Sequence, residues 1–336
     1  MNIGFRVTVV CGAVWSTIGV AIGCAQPAKT TATPLAKTLV AIAAAGESFN
    51  GDAAFDMLKA VVQLGPRITG SEAMTKQQQL LQKHFEELGA KVWYHEFPMA
   101  HPKTGRKVNV RNMIVTWHPE RRERVMLCTH YDTRPQADKD KKNPRGKFDG
   151  ANDGASGVGL FAELGRHMPG IDATFGVDFV LFDAEEFVFD PGRDPLFVGS
   201  TGFANAYATE PDKRKFVYQC AVLIDMIGDA HLDLYWETNS FRNAGDLCKE
   251  IWSVAADLDV VEFHPEIKHE IRDDHLPLIN IAKIPTIDII DFDYPTLLQS
   301  NLYWHTQQDV PENCSADSLS KVGRVLLEWI KRRAAK

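Results

Sequence analysis

Short apolar runs recur along the chain and stop abruptly on polar residues. From Val177 to Phe182 only Asp178 interrupts such a run. Runs of this kind suit strands covered on both faces. Arg124–Cys128, Cys220–Ile227 and Ile284–Ile290 read the same way. Lys91–Phe97 and Val108–Trp117 also read as strands, with a turn at Pro102-Lys103-Thr104-Gly105 between them. Elsewhere the apolar residues fall at helical spacing. Asp52–Leu64 places Phe55, Leu58, Val61 and Val62 on one face. Glu72 to about Leu88 follows Ser71 and stops at Gly89. Further helices are predicted over Ala155–His167, after Gly199-Ser200, over about Asn243–Leu258, and briefly after Asp273-Asp274-His275. Ser315 caps a last amphipathic helix through Leu319, Val322, Leu326, Trp329 and Ile330. Strands alternating with helices predict an α/β fold, with a largely parallel sheet covered on both sides.

Composition narrows the class. Of 336 residues, 45% are hydrophobic and 24% charged, enough apolar mass for one large core. The net charge is −7, and no basic block or basic-aromatic interleaving occurs, which argues against nucleic acid as a partner. The first residues look like a targeting segment. Arg6 precedes a small and apolar run from Val7 to Gly23, followed by Cys24 and a Pro/Thr-rich stretch. Ala21-Ile22-Gly23-Cys24 resembles a bacterial lipobox, with Ala21 where Leu is usual. Residues 1–24 therefore read as a signal peptide, with Cys24 as a lipid anchor to the membrane or, alternatively, ordinary secretion. Residues 25–50 read as a linker and 51–336 as one catalytic domain. The protein is expected to be exported, either periplasmic or a membrane-anchored lipoprotein. Cys128, Cys220, Cys248 and Cys314 are scattered without a CxxC pair, so they form no zinc knot. Cys128 and Cys220 read as buried thiols, and a disulfide among the four stays open.

Chemistry collects where the apolar runs end. Val177–Phe182 leads into Asp183, Glu185 and Glu186. Three carboxylates at the end of a core strand repel one another and lose hydration. A cation between them, or a retained proton, relieves that. In open α/β sheets the carboxyl ends of strands are also where ligands bind. His130 and Asp132 follow one run, Asp225 ends another, and His305 follows the last. Asp153 lies in Gly150-Ala151-Asn152-Asp153-Gly154-Ala155-Ser156-Gly157, just before a helix. Taken singly, each has a plain reading: a satisfied histidine, a helix cap, a strand-end turn, a packing glycine. Together they supply the carboxylates and imidazoles that a catalytic zinc uses.

These motifs, in this order, resemble the M28 zinc aminopeptidase family from about residue 52 to the C-terminus. Asp273-Asp274-His275-Leu276-Pro277, the segment Ile284–Ile290 and Tyr303-Trp304-His305-Thr306 are more similar to the bacterial glutaminyl cyclase branch. The resemblance implies a single-domain three-layer αβα sandwich around a mixed, mostly parallel twisted sheet. It implies that Asp153, Glu186 and His305 hold one zinc, and that Glu185 is the general acid/base. Asp225 and Asp273 would hydrogen-bond the reacting amide and shape the proton relay, and Trp304 would wall the pocket. The implied reaction converts the N-terminal Gln of peptides or proteins to pyroglutamate with release of ammonia. Glu185, next to Glu186 and Asp183, is expected to have a raised pKa. Many cyclases carry a Trp shortly after the paired acids. Here Phe187 and Phe189 are the only aromatics in that stretch and the candidates to replace it. His130 and Asp225 complete the ligand set of a two-zinc aminopeptidase, so that reading remains the alternative.

Overall fold

A computed structural model describes residues 48–296, 298 and 302–336. The expected targeting segment, Cys24 and linker residues 25–47 lie outside the described residues. The last linker residues belong to the folded body: Phe49 is buried, and Asn50 caps the first helix by accepting the Ala53 N–H at 3.0 Å.

The elements follow the apolar pattern. Helices α1 (Gly51–Val62) and α2 (Glu72–Glu87) precede strands β1 (Lys91–Ala100), β2 (Lys107–Trp117) and β3 (Glu123–His130). Helix α3 (Ala155–His167), β4 (Gly176–Phe182), α4 (Val198–Thr209) and β5 (Val217–Asp225) come next. They are followed by β6 (Leu234–Trp236), α5 (Thr238–Asp257), β7 (Phe263–Ile267), β8 (Thr286–Ile290) and α6 (Ala316–Ala334). A one-turn helix His275–Pro277, running on into a π-helical turn Leu278–Ala282, lies before β8.

The main sheet has the order β1-β2-β4-β3-β5-β8. Strands β4, β3, β5 and β8 are parallel, while β1 and β2 add antiparallel pairings at one edge. Alternation sorts the strand residues to two faces. Val125, Leu127, Phe179, Val222, Ile224 and Ile287 join a core under α1, α2, α3, α5 and α6. Met126, Cys128, Val180, Phe182 and Leu223 face α4 and the turn Leu278–Ala282. The result is the expected three-layer sandwich. From β3 the chain crosses to β4 toward one edge of the sheet, and from β5 it continues to β8 toward the opposite edge. The crevice between these connections opens at the carboxyl ends of the parallel strands, where such folds bind ligands.

Two differences from the sequence reading have physical causes. Helix α5 begins at Thr238 rather than near Asn243, because Glu237 accepts the N–H groups of Asn239 and Ser240. The backbone leaves helical geometry at Ala244, so the sequence periodicity begins only after that kink. The parallel pair β6–β7 went unread, since three and five residues are too short to display a period. The four described cysteines are buried free thiols.

The strongest polar lock in the sheet is Arg124 on Asp178. The guanidinium grips both carboxylate oxygens at 2.7 and 2.8 Å, and it also donates to the carbonyls of Trp117 and Val177. Tyr218 donates its hydroxyl to the same carboxylate at 2.7 Å. All three side chains are buried, so loss of one partner strands a charge. Arg124→Met is expected to lower stability by about 3–5 kcal/mol in urea unfolding. An unchanged unfolding midpoint would contradict this reading.

Candidate metal centre

The carboxyl edge of the sheet brings together most of the residues singled out in the sequence. His130 ends β3 and Asp225 ends β5. Glu185 and Glu186 follow β4, Asp153 lies in the loop before α3, and His305 follows β8. Asp153, Glu186 and His305 each offer a ligand atom within 4.8 Å of the others, and so do His130, Asp153 and Asp225. Asp153 belongs to both sets. Its Oδ1 is 3.1 Å from His130 Nε2, and its Oδ2 is 3.4 Å from His305 Nε2. Glu186 Oε1 lies 3.2 Å from His305 Nε2, and Asp225 Oδ1 lies 3.2 Å from His130 Nε2.

The local chain geometry explains how the donors converge. Gly154, not Asp153, is the N-cap of α3, and it caps without a side chain. The Asp153 carboxylate is therefore free to point at the imidazoles. Gly154 has φ +96°, and a Cβ there would meet the Asp132 carbonyl at 2.9 Å and the His130 ring at 3.1 Å. A Cβ on Gly157 would meet Thr129 Oγ1 at 2.1 Å, so only glycine lets α3 approach β3 this closely. Three non-glycine residues at the site have left-handed backbones: Ala184 (φ 59°), Met226 (φ 49°) and His305 (φ 55°). Such residues cost on the order of 1–3 kcal/mol each and cluster where function over-determines the chain.

Burial and charge set the protonation states. Burial alone raises the Glu185 carboxyl, and the neighbouring Glu186 charge pushes it further, to well above the ordinary range. Burial also opposes ionisation of Glu186, but Arg134 and His305 outweigh it and hold Glu186 well below that range. These two adjacent glutamates thus have opposite tendencies, the pattern expected of one proton shuttle and one permanent anion. Burial and then Asp225 raise Asp273 to about 7. Burial lowers His130, yet Asp225, Asp132 and Asp153 together raise it well above its usual value.

Several supporting residues hold the donors in place. Asp132 accepts the backbone N–H groups of Glu185 and Glu186 at 3.2 and 3.0 Å and so fixes both glutamates. Asp309 does the same for Asn152 and Asp153, at 2.7 and 3.1 Å. Arg67 donates to the carbonyls of Asp149 and Gly150, just before the Asp153 loop. Asp132 was visible in the His-x-Asp spacing. Asp309 and Arg67 act through the backbone of distant loops, which no local pattern records.

Trp304 is half-buried beside the donors, its ring 3.9 Å from the His305 ring and 5.3 Å from Phe292. With Ile271, Met226 and Tyr303 it forms an aromatic and aliphatic wall. Phe187 does not join that wall. It is buried with Val110 and Ala184, while Phe189 stacks on His101, so both are packing residues of the β1–β2 side. Asp273 is buried, and its Oδ1 takes the Asp274 N–H.

The donor chemistry fits a divalent cation. Glu186 Oε2 is buried without a hydrogen-bond partner, although such an atom normally finds one. Two carboxylates and an imidazole converge in each set, with mixed oxygen and nitrogen donors of the kind zinc accepts.

A doubly wound α/β sandwich with acids and imidazoles meeting at its strand ends defines the class of metal-dependent α/β enzymes. The chain belongs to peptidase family M28, whose model matches residues 112–330. Solved structures agree. A glutaminyl cyclase from Fimbriiglobus ruber is 39% identical, with a TM-score of 0.79 over 85% of this chain and 96% of that one. A glutaminyl cyclase from Porphyromonas gingivalis is 29% identical, with a TM-score of 0.78 over 86% and 100%. A Zn-dependent exopeptidase from Parabacteroides distasonis is 32% identical, with a TM-score of 0.77 over 85% and 99%.

Because Asp153 serves both donor sets, Asp153→Ala is expected to abolish tight divalent-metal binding. His130→Ala is expected to spare the Asp153, Glu186 and His305 set. Elemental analysis after dialysis, with circular dichroism to check the fold, tests both. Metal retained by Asp153→Ala at the wild-type level would contradict the shared role.

Proposed function

We propose that this chain is a zinc-dependent glutaminyl-peptide cyclotransferase, converting N-terminal Gln of peptides to pyroglutamate and ammonia. The observation that carries the reading is Glu185. Its protonation is favoured, and it sits beside a three-residue cation set walled by Trp304. The similarity to two glutaminyl cyclases supports the same reading.

Asp153, Glu186 and His305 would hold the zinc. When bound, a zinc ion supplies Lewis-acid polarisation of a carbonyl. The residues do the rest. In its carboxylate form, Glu185 takes a proton from the substrate α-amine as that nitrogen attacks the γ-carbonyl carbon, its raised proton affinity favouring the uptake. A new C–N bond closes the five-membered ring, and the side-chain amide C–N bond breaks. Glu185 then returns the proton to the departing ammonia. Asp225 and Asp273 hydrogen-bond the reacting amide and its amine, holding the two ends for attack. Trp304 covers the apolar part of the glutamine side chain.

A second reading has a specific observation behind it. His130 and Asp225 form a second donor set through Asp153, which suits a two-zinc aminopeptidase, and a Zn-dependent exopeptidase is among the similar structures. The first residues, with Cys24, support export and lipid attachment as part of the proposal.

With a Gln-initiated dipeptide, the purified protein is expected to release ammonia and no free N-terminal residue. Release of that residue without ammonia would overturn the cyclase reading in favour of the peptidase. About one zinc per chain is expected under the first reading and about two under the second. Glu185→Gln is expected to keep metal and fold while turnover falls by about 10²–10⁴-fold. Near-normal rates in this variant would remove Glu185 from the shuttle role.

A further inference from the structure

We infer that the Arg134–Asp138 pair is a positioning device that presents Glu186 and His305 as metal ligands. The Arg134 guanidinium reaches Asp138 through Nε at 2.8 Å and Nη2 at 3.3 Å. Its Nη1 donates to Glu186 Oε1 at 2.9 Å. Asp138 Oδ1 then lies 3.5 Å from His305 Nδ1. A chain of charges therefore runs from Glu186 through Arg134 and Asp138 to the far side of the His305 ring. It closes on itself, because His305 Nε2 lies 3.2 Å from Glu186 Oε1.

Each link has a consequence for the donors. Arg134 ties down one oxygen of Glu186 and leaves the other, Oε2, buried and without a hydrogen-bond partner. A carboxylate beside His305 Nδ1 favours the tautomer with the proton there, which frees Nε2 as a donor. The same loop holds the backbone. The Lys139 N–H donates to the His305 carbonyl at 3.1 Å, and Asp140 accepts the Gln307 N–H at 3.0 Å. Phe148 meets the His305 ring edge-on at 5.9 Å. His305 needs such support, since its φ of 55° is unfavourable for a residue with a Cβ.

A cation beside a metal site also opposes metal binding through its charge. Here Asp138 offsets the charge of Arg134, so the pair orients the ligands with little net repulsion. The fork is specific to arginine, because a lysine ammonium cannot span two carboxylates in one plane.

This inference rests on the metal-binding part of the function proposed above and holds for either the cyclase or the peptidase reading. The test is zinc affinity of the full chain by competition with a chromophoric chelator, for wild type, Arg134→Lys, Arg134→Gln and Asp138→Asn. Thermal unfolding in excess EDTA checks each metal-free fold. All three variants are expected to bind zinc about 10–100-fold more weakly. Unchanged affinity in folded Arg134→Lys and Asp138→Asn would overturn the inference alone. Tighter binding by Arg134→Gln would also overturn it, by reducing Arg134 to a repelling charge. If Arg134→Gln does not fold, the other two variants decide. Wild-type protein that binds no zinc would overturn the metal centre and this inference together.

Discussion

Everything at the carboxyl edge of the sheet follows from forcing acids into a space with little water. Asp132, Asp153, Asp183, Glu186, Asp225, Asp273 and Asp274 are all buried there. In water their mutual repulsion would be screened, but beneath this loop layer it is not. The protein answers in three ways. Backbone N–H groups satisfy some: Asp132 takes two, and Asp183 takes one from Arg111 together with the Thr69 hydroxyl. Cationic side chains satisfy others, as Arg134 does for Glu186. The remainder converge on points where only a metal ion or a proton resolves the conflict. Asp153 stands at the junction, facing both imidazoles.

That conflict was readable in the sequence because it falls at strand ends. An apolar run leading into Asp183, Glu185 and Glu186 announces both a core strand and a site. The candidate donors His130 and Asp225 were visible for the same reason, since they are the last residues of their strands. The alternation of strands and helices exposed the sandwich. What stayed hidden acts across long sequence separations or through the main chain. Asp309 orders the Asp153 loop from 156 residues away by accepting its backbone N–H groups. Arg124 and Asp178 looked like a charged strand start and an interruption, and only the parallel pairing of β3 with β4 brings them together. Phe187 was a plausible pocket aromatic by position, but the chain turns at Ala184, and the small cluster with Val110 claims it.

The two chemistries weighed for this chain differ less in fold than in which donors are used. Asp153, Glu186 and His305 suffice for one cation, and His130 and Asp225 offer a second position beside it. Neither set requires a different backbone. A scaffold of this kind separates ring closure from peptide hydrolysis through the walls and proton carriers around one shared carboxylate, which fits the mixture of cyclases and exopeptidases among similar structures.

The left-handed residues Ala184, Met226 and His305 have a further consequence. Each sits beside or within the donor set, in a narrow backbone well with no low-energy neighbour for a residue that has a Cβ. Such a frame resists adapting to what enters it. Ordering is then complete before any encounter, and a guest that fits gains affinity because the host loses little freedom on capture.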